Sequence, residues 1–154
     1  MGSEKKVKVI PKENAVFWMD MNGIWRNEHG RFEHPRIISY FNRSIQKDDQ
    51  GYFLSQTVDE MVEKVYFPYE DTAVFVVDIR TGNCVDLVLN IGKKITLNPD
   101  TLFIKDDGLF SQTPDHLIKF NQHALTKLTG LLDETDQGLV LNLGETTYPI
   151  PEQQ

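Results

Sequence analysis

The sequence predicts an α+β fold built from two similar units, because it contains nearly the same pattern twice. Each copy begins with a glycine in a sequence typical of a β-hairpin turn, and an amphipathic stretch follows it. The sequence Asp-Gln-Gly and a short apolar run end the copy. Gly23 and Gly51 of the first copy are 28 positions apart, and Gly108 and Gly138 of the second are 30 apart. Two such units packed side by side form a seam, which is the usual place for a ligand.

The first unit begins with a hairpin and a second turn. An apolar run over residues 16–19 meets Asn22 and Gly23, a strong signal for a tight β-turn. Gly30 marks the next turn. Pro35 suits the first position of a helix, since its fixed φ is already helical, and we expect this helix to run to about residue 46. Its apolar residues form one core-facing stripe, namely Ile37, Ile38, Phe41 and Ile45.

Strands complete the first unit. Gly51 permits a turn with positive φ, and the residues after it have the composition of a strand. The segment 58–65 fits a short helix or a strand, whereas 73–79 is β-branched and apolar enough for a buried strand. A turn cluster at 81–83 predicts the boundary, so that the first unit spans 15–81 and the second 82–154. Residues 1–14 are polar and predict a loose lead-in.

The second unit follows the same order. Strands at 84–90 and 95–97 meet at Gly92, and a hairpin turn follows at 105–108. Asn121 can cap the matching helix with its side chain. Strands near the C-terminus close the fold, so we expect two small curved antiparallel sheets, each covered by one helix. The second helix places its apolar residues on one stripe, namely Ala124, Leu125, Leu128, Leu131 and Leu132.

Composition restricts the class of protein. The chain has 154 residues, 40% of them hydrophobic, which is enough to bury a core. Its formal net charge of −7 repels phosphate backbones and disfavours nucleic-acid binding. Cys84 is the only cysteine, and its apolar neighbours predict a buried position. We expect no cofactor and no metal, and the lack of a signal peptide or membrane-length apolar run predicts a cytoplasmic protein.

A series of residues runs through the chain in a characteristic order, namely Gly23, Ile24, Trp25, Gly30, His34, Pro35, Arg36, Phe41 and the segments 49–54 and 70–75. This order resembles a bacterial domain-of-unknown-function family, number twelve-eighty-five. The resemblance covers most of the chain from Trp18 to Pro151 and implies a duplicated core whose C-terminal part is superficially similar to a pleckstrin-homology fold. It also implies a protein or nucleic-acid ligand at the junction of the two parts, and hence a binding or signalling module.

The candidate binding residues lie mainly in the first unit. Arg36 and Arg43 are seven positions apart and so share one face of the predicted helix, where guanidinium groups suit carboxylates or phosphates. With Arg26 and Arg31 they form a cluster; the alternative is a solvated face paired with nearby glutamates. The full set of site residues that we predict is Trp25, His34, Arg36, Arg43, Glu70 and Asp71, the last two near the junction. For Trp25 the alternative is a core position, which most aromatic residues of the first unit should occupy.

The favoured function is a noncatalytic adaptor or sensory module that binds a protein segment or a small ligand between the units. An enzyme is the alternative, with His34 and Glu70 or Asp71 as an acid and a base in a cleft. A third hypothesis is weak nucleic-acid binding through the arginines, which the net charge disfavours.

Overall fold

The computed structural model describes residues 6–153, and the chain divides into two compact units after Ala73. The first unit contains seven strands and one helix, and the second contains nine strands and one helix within the described residues. The elements of the first unit are β1 (Lys6–Ile10), β2 (Phe17–Met19), β3 (Trp25–Asn27), β4 (Gly30–Arg31), α1 (Pro35–Arg43), β5 (Ile45–Asp48), β6 (Gly51–Val58) and β7 (Met61–Tyr66). Those of the second are β8 (Val74–Thr81), β9 (Val85–Leu89), β10 (Lys94–Thr96), β11 (Leu102–Lys105), β12 (Gly108–Gln112), β13 (Leu117–Phe120), α2 (Gln122–Leu128), β14 (Leu132–Thr135), β15 (Gly138–Leu143) and β16 (Thr146–Pro149). Short 3₁₀ turns occur at Lys12–Asn14, Pro99–Thr101 and Thr129–Leu131.

Two sheets form the first unit. The hairpin of β2 and β3 continues into β4, and a second sheet has the order β1-β7-β6-β5. The strand β1 pairs with β7 in parallel, so the prediction that residues 1–14 form only a loose lead-in is wrong for 6–10. Alternating lysine and valine in this stretch has strand propensity, and pairing with β7 satisfies its backbone groups. Residues 1–5 of that prediction lie outside the described residues.

The helix α1 is shorter and less buried than predicted. It ends at Arg43, and Ile45 belongs instead to β5, where it is buried and lies opposite Leu54. The hydroxyl of Ser44 donates to the carbonyl of Tyr40 at 2.7 Å and helps to end the helix. No residue of α1 is buried, and Ile37 is exposed. Ile45, which the helical pattern assigned to the apolar stripe of α1, is therefore a residue of β5.

Two-residue turns with positive φ close two of the hairpins. Asp59 and Glu60 have φ values of 48° and 66°, and Asp106 and Asp107 have 49° and 66°. This geometry matches the right-handed twist of the flanking strands, as in turns of type I′. The segment 58–65, for which a helix and a strand were both possible, consequently contains the turn after β6 and most of β7.

A six-stranded sheet dominates the second unit, with the order β10-β9-β8-β13-β12-β11. The strand β8 lies inside this sheet, antiparallel to β9 and parallel to β13. The unit boundary therefore falls before β8 and not at 81–83 as predicted. The run Val74, Phe75 and Val76 is fully buried, as expected for a strand with neighbours on both sides. Cys84, predicted to be buried, is exposed in the turn before β9.

The helix α2 packs on β8 and β13. Ala124 and Leu128 are its buried residues, and a 3₁₀ turn follows the helix before Leu132 begins β14. Lys127 forms a salt bridge of 2.6 Å with Asp78 on β8. The hydrogen bond from Lys127, aided by that from the Ile79 amide, holds the pKa of Asp78 below its ordinary value. The six-stranded sheet and this helix make the body of the second unit.

The order of elements recurs in the two units. Three antiparallel strands, one helix and three further antiparallel strands occur in β2 to β7 and again in β11 to β16. Gly51 and Gly138 begin the matching strands after each helix, with φ values of 120° and 112°. The structure confirms an α+β fold with small, mostly antiparallel sheets. Descent of the units from one ancestral duplication stays a prediction.

Asn121 caps α2 as predicted, because its side-chain oxygen accepts a hydrogen bond of 2.9 Å from the amide of Ala124. We expect Asn121→Ala to destabilise the second unit by about 1 kcal/mol. Urea unfolding followed by circular dichroism measures this, with Asn83→Ala in an exposed turn as the control. An equal effect of the two substitutions would show that the cap contributes nothing.

Candidate functional site

Trp25, one of the predicted site residues, is a core residue of the first unit, which was the alternative for this position. It is 1% exposed, and its ring lies 4.8 Å from that of Phe67, between centroids. Phe17 and Phe41 contact it in edge-to-face geometry. Its indole N–H donates to Oδ1 of Asn42 at 2.7 Å. This aromatic cluster holds α1 against the β2–β3 hairpin.

The arginine cluster divides into residues with different roles. Arg26 Nε lies 2.6 Å from a carboxylate oxygen of Asp20, a residue buried at the β2–β3 turn. The same carboxylate accepts from the amides of Asn22 at 2.8 Å and Ile24 at 3.0 Å. Burial raises the pKa of Asp20, but the hydrogen bonds from Arg26 and the two amides outweigh it, so the pKa lies below its ordinary value. Arg26 is therefore structural.

Arg36 and Arg43 remain available on the surface. Their spacing, with Tyr40 between them, places all three side chains within one arc of α1 that does not include Phe41 and its aromatic contact. All three are exposed, and within residues 6–153 neither arginine forms a salt bridge. We call Arg36, Tyr40 and Arg43 the basic face.

A groove adjoins the start of α1 in the same unit. His34 immediately precedes the helix, is exposed, and makes no side-chain capping bond. Around it the groove is lined by side chains of β3, β4 and α1, including Arg31, Phe32 and Ile37. A second depression shares Asn27 and His29 with this groove and extends to the exposed residues Val16 and Trp18. Of the predicted site, Arg36 and Arg43 thus lie on α1, and His34 lies directly before it.

Glu70 has a structural role. Its carboxylate accepts a hydrogen bond from the amide of Met21, and its own amide donates to the carbonyl of Met19 at 3.2 Å. It therefore stabilises the β2–β3 turn from outside. Asp71 is exposed beside it. Among the described residues no hydrogen bond joins Glu70 to His34, so these two candidates of the enzyme hypothesis do not form an acid–base pair.

The part of the chain that the structure describes contains neither a metal-binding cluster nor a helix that could span a membrane. Across 6–153, no three side chains of His, Cys, Asp or Glu come together in a way that could hold a metal ion. Neither described helix has the length and apolar character that crossing a membrane requires.

A cavity of about 240 Å³ in the second unit was missed by the sequence reasoning. Leu87, Leu89 and Ile95 supply its apolar side, and Ser111 and Thr113 lie across from the β9–β10 hairpin. The strands that supply these residues are far apart in the sheet order, so the sheet must curve around the cavity. No local motif marks such a site, because its residues come from four separate segments.

Two solved structures resemble this chain. A DUF1285 family protein from Silicibacter pomeroyi matches with a TM-score of 0.61 and 12% identity, over 96% of this chain and 83% of that one. A DUF1285 family protein from Shewanella baltica matches with a TM-score of 0.49 and 16% identity, over 70% of this chain and 84% of that one. No family model matches the sequence, and no curated protein matches it. The chain therefore shares its fold with a DUF1285 family protein, which confirms at the level of the fold the resemblance found in the sequence.

Proposed function

We propose that the first unit is a noncatalytic binding module that recognises an acidic segment of a partner protein through the basic face. One observation carries this proposal: Arg36, Tyr40 and Arg43 are exposed together on one side of α1, and the two guanidinium groups have no carboxylate partner among the described residues. Arginine and tyrosine are among the residue types that contribute most to binding at protein interfaces.

The chemistry of the basic face indicates carboxylates as its target. Each guanidinium can donate two parallel hydrogen bonds to one carboxylate, and neither has to give up an internal ion pair to do so. Tyr40, which is 54% exposed, offers apolar area and a hydroxyl between the two charges. Ile37 and Phe32 in the adjoining groove can receive an apolar side chain of the same segment.

Local and overall charge act in opposite directions here. The net charge of −7 repels an acidic partner at long range, so binding depends on the short-range contacts of the basic face. The same net charge weakens nucleic-acid binding more strongly, because a phosphate backbone carries a dense array of charge. We therefore favour a protein segment and keep the expected cytoplasmic setting.

The proposal is tested with a short fluorescein-labelled peptide of Glu, Asp and Leu, whose binding is followed by fluorescence anisotropy. We expect Arg36→Glu combined with Arg43→Glu to weaken binding by roughly tenfold or more, since each reversal replaces an attraction with a repulsion. A peptide with Gln and Asn in place of the acids should bind no better to the wild type than to the variant.

The matched control combines Arg80→Glu with Lys105→Glu, two exposed residues of the second unit. It changes the net charge by the same amount as the double reversal on α1. Equal loss of binding in the two variants would mean that overall charge, and not the basic face, governs the interaction. Absence of peptide binding to the wild type would also contradict the proposal, and tighter binding of single-stranded DNA than of the peptide would favour a nucleic-acid role.

The enzyme hypothesis is not favoured by a particular observation. His34 stands alone at the start of α1, and Glu70 is engaged by the backbone of the β2–β3 turn. Neither structural neighbour is named for an activity.

A further inference from the structure

Two hydroxyl groups on the wall of the cavity in the second unit form consecutive hydrogen bonds, and the donor in each bond is determined by its neighbours. Thr101 Oγ1 donates its proton to the carbonyl of Asn98 at 2.7 Å. Ser111 Oγ lies 2.5 Å from Thr101 Oγ1, close enough for a hydrogen bond. A hydroxyl has a single proton, so Ser111 must be the donor in that contact. Ser111 is left with acceptor lone pairs only.

The hydroxyl of Thr113, which also lines the cavity, already donates its proton within the protein. Thr113 Oγ1 donates to the carbonyl of His116 at 2.8 Å and accepts from the amide of His116 at 2.9 Å. Ser111 itself is 2% exposed, so its lone pairs are not freely solvated. The hydroxyl side of the cavity is therefore an acceptor surface set in a largely apolar wall.

We propose that this cavity is a binding site for a small, neutral, largely apolar molecule that donates one hydrogen bond to Ser111 Oγ. The apolar body would lie against Leu87, Leu89 and Ile95, and an N–H or O–H group would point at Ser111. This site is separate from the basic face of the first unit and does not depend on it.

Size and charge narrow the class of ligand. A volume of about 240 Å³ is below that of pockets for drug-sized molecules, which begin at roughly 300 Å³. Lys93 and Asp115 both lie on the lining, so neither sign of charge is favoured there. A one- or two-ring heteroaromatic compound with an N–H group fits these requirements.

Indole and benzofuran provide a matched pair of probes, because they have nearly the same shape and only indole has an N–H donor. Binding is followed by the chemical shifts of the methyl groups of Leu87, Leu89 and Ile95. We expect indole to bind the wild type roughly three- to tenfold more tightly than benzofuran, the preference that one hydrogen bond in a protein site supports.

Two variants test the role of Ser111. Ser111→Ala should remove the preference for indole. Thr101→Val leaves Ser111 in place but frees its proton, so the preference should shrink although the cavity wall is kept. Thr126→Ala, a hydroxyl deletion on the exposed side of α2, is the control and should behave as the wild type does. Amide spectra establish that each variant is folded.

Equal binding of indole and benzofuran to the wild type would overturn the proposal. So would shifts confined to methyl groups outside the cavity, or no shift at the solubility limit of indole. Retention of the full preference in a folded Ser111→Ala variant would exclude the donor to Ser111 even if the cavity binds both probes.

Discussion

Trp25→Ala is expected to destabilise the first unit by about 3–5 kcal/mol, the usual cost of truncating a fully buried aromatic residue. The side chain is 1% exposed and contacts Phe17, Phe41 and Phe67, so its removal leaves a cavity that three rings cannot easily fill. It also leaves the Asn42 side chain without the indole donor. We expect α1, which has no buried residue of its own, to detach first.

The loss of stability of the first unit can be measured separately, because both tryptophans lie in that unit. Both Trp18 and Trp25 belong to that unit, so tryptophan emission during urea unfolding does not report on the second unit. Trp18→Ala is the matched control, because Trp18 is 36% exposed and should cost less than about 1 kcal/mol. Similar costs for the two substitutions would show that the aromatic cluster does not hold the unit together.

Asp20→Ala is expected to cost about 2–3 kcal/mol near neutral pH, because one carboxylate accepts from Arg26 and from two backbone amides in the β2–β3 turn. Asp20→Asn should cost less, since its side-chain oxygen can still accept from the amides. Asp49→Ala, in an exposed turn, is the control. Tryptophan emission in urea again measures the change.

The effect of Asp20 depends on pH in a defined direction. Its pKa in the folded protein lies below the ordinary value of 3.8, so the folded state favours the ionised carboxylate. The stabilisation is present above that value and is lost as the pH falls through the lower pKa of the folded state. The difference between wild type and Asp20→Asn should therefore be constant above about pH 5 and shrink below pH 4. A difference that grew on acidification would contradict the assignment.

Turn and capping signals predicted much of the fold, because the conformation of a turn or of a helix end is determined by residues only a few positions apart. The hairpin at Gly23 and the cap at Asn121 formed where the sequence indicated. The unit boundary could not be found in this way. A turn cluster does follow β8, but that strand pairs with β13, more than thirty positions further along the chain, and pairing partners at that distance leave no local signal. Ile45 shows the same limit, since its helical spacing was overridden by pairing in β5.

The candidate site was predicted in part. Helical spacing was sufficient to place Arg36 and Arg43 on one side of α1, because that geometry is intrinsic to a helix. The roles of Trp25 and Glu70 depend on side chains and backbone groups that are brought together only by folding, so the sequence could not decide between a core and a surface role for Trp25 or show the bond that Glu70 makes. The role of Asp20 was not predicted, because a single aspartate before a turn does not indicate how many backbone amides its carboxylate will accept hydrogen bonds from.

The measurement that tests the binding proposal most directly is a backbone amide NMR titration with the acidic peptide. We predict that the shifts concentrate on residues 34–43 and on the neighbouring groove residues Asn27 to Phe32, and that they are absent in the Arg36→Glu and Arg43→Glu double variant. Shifts located in the second unit, or spread evenly over the surface of the protein, would contradict a partner site on α1.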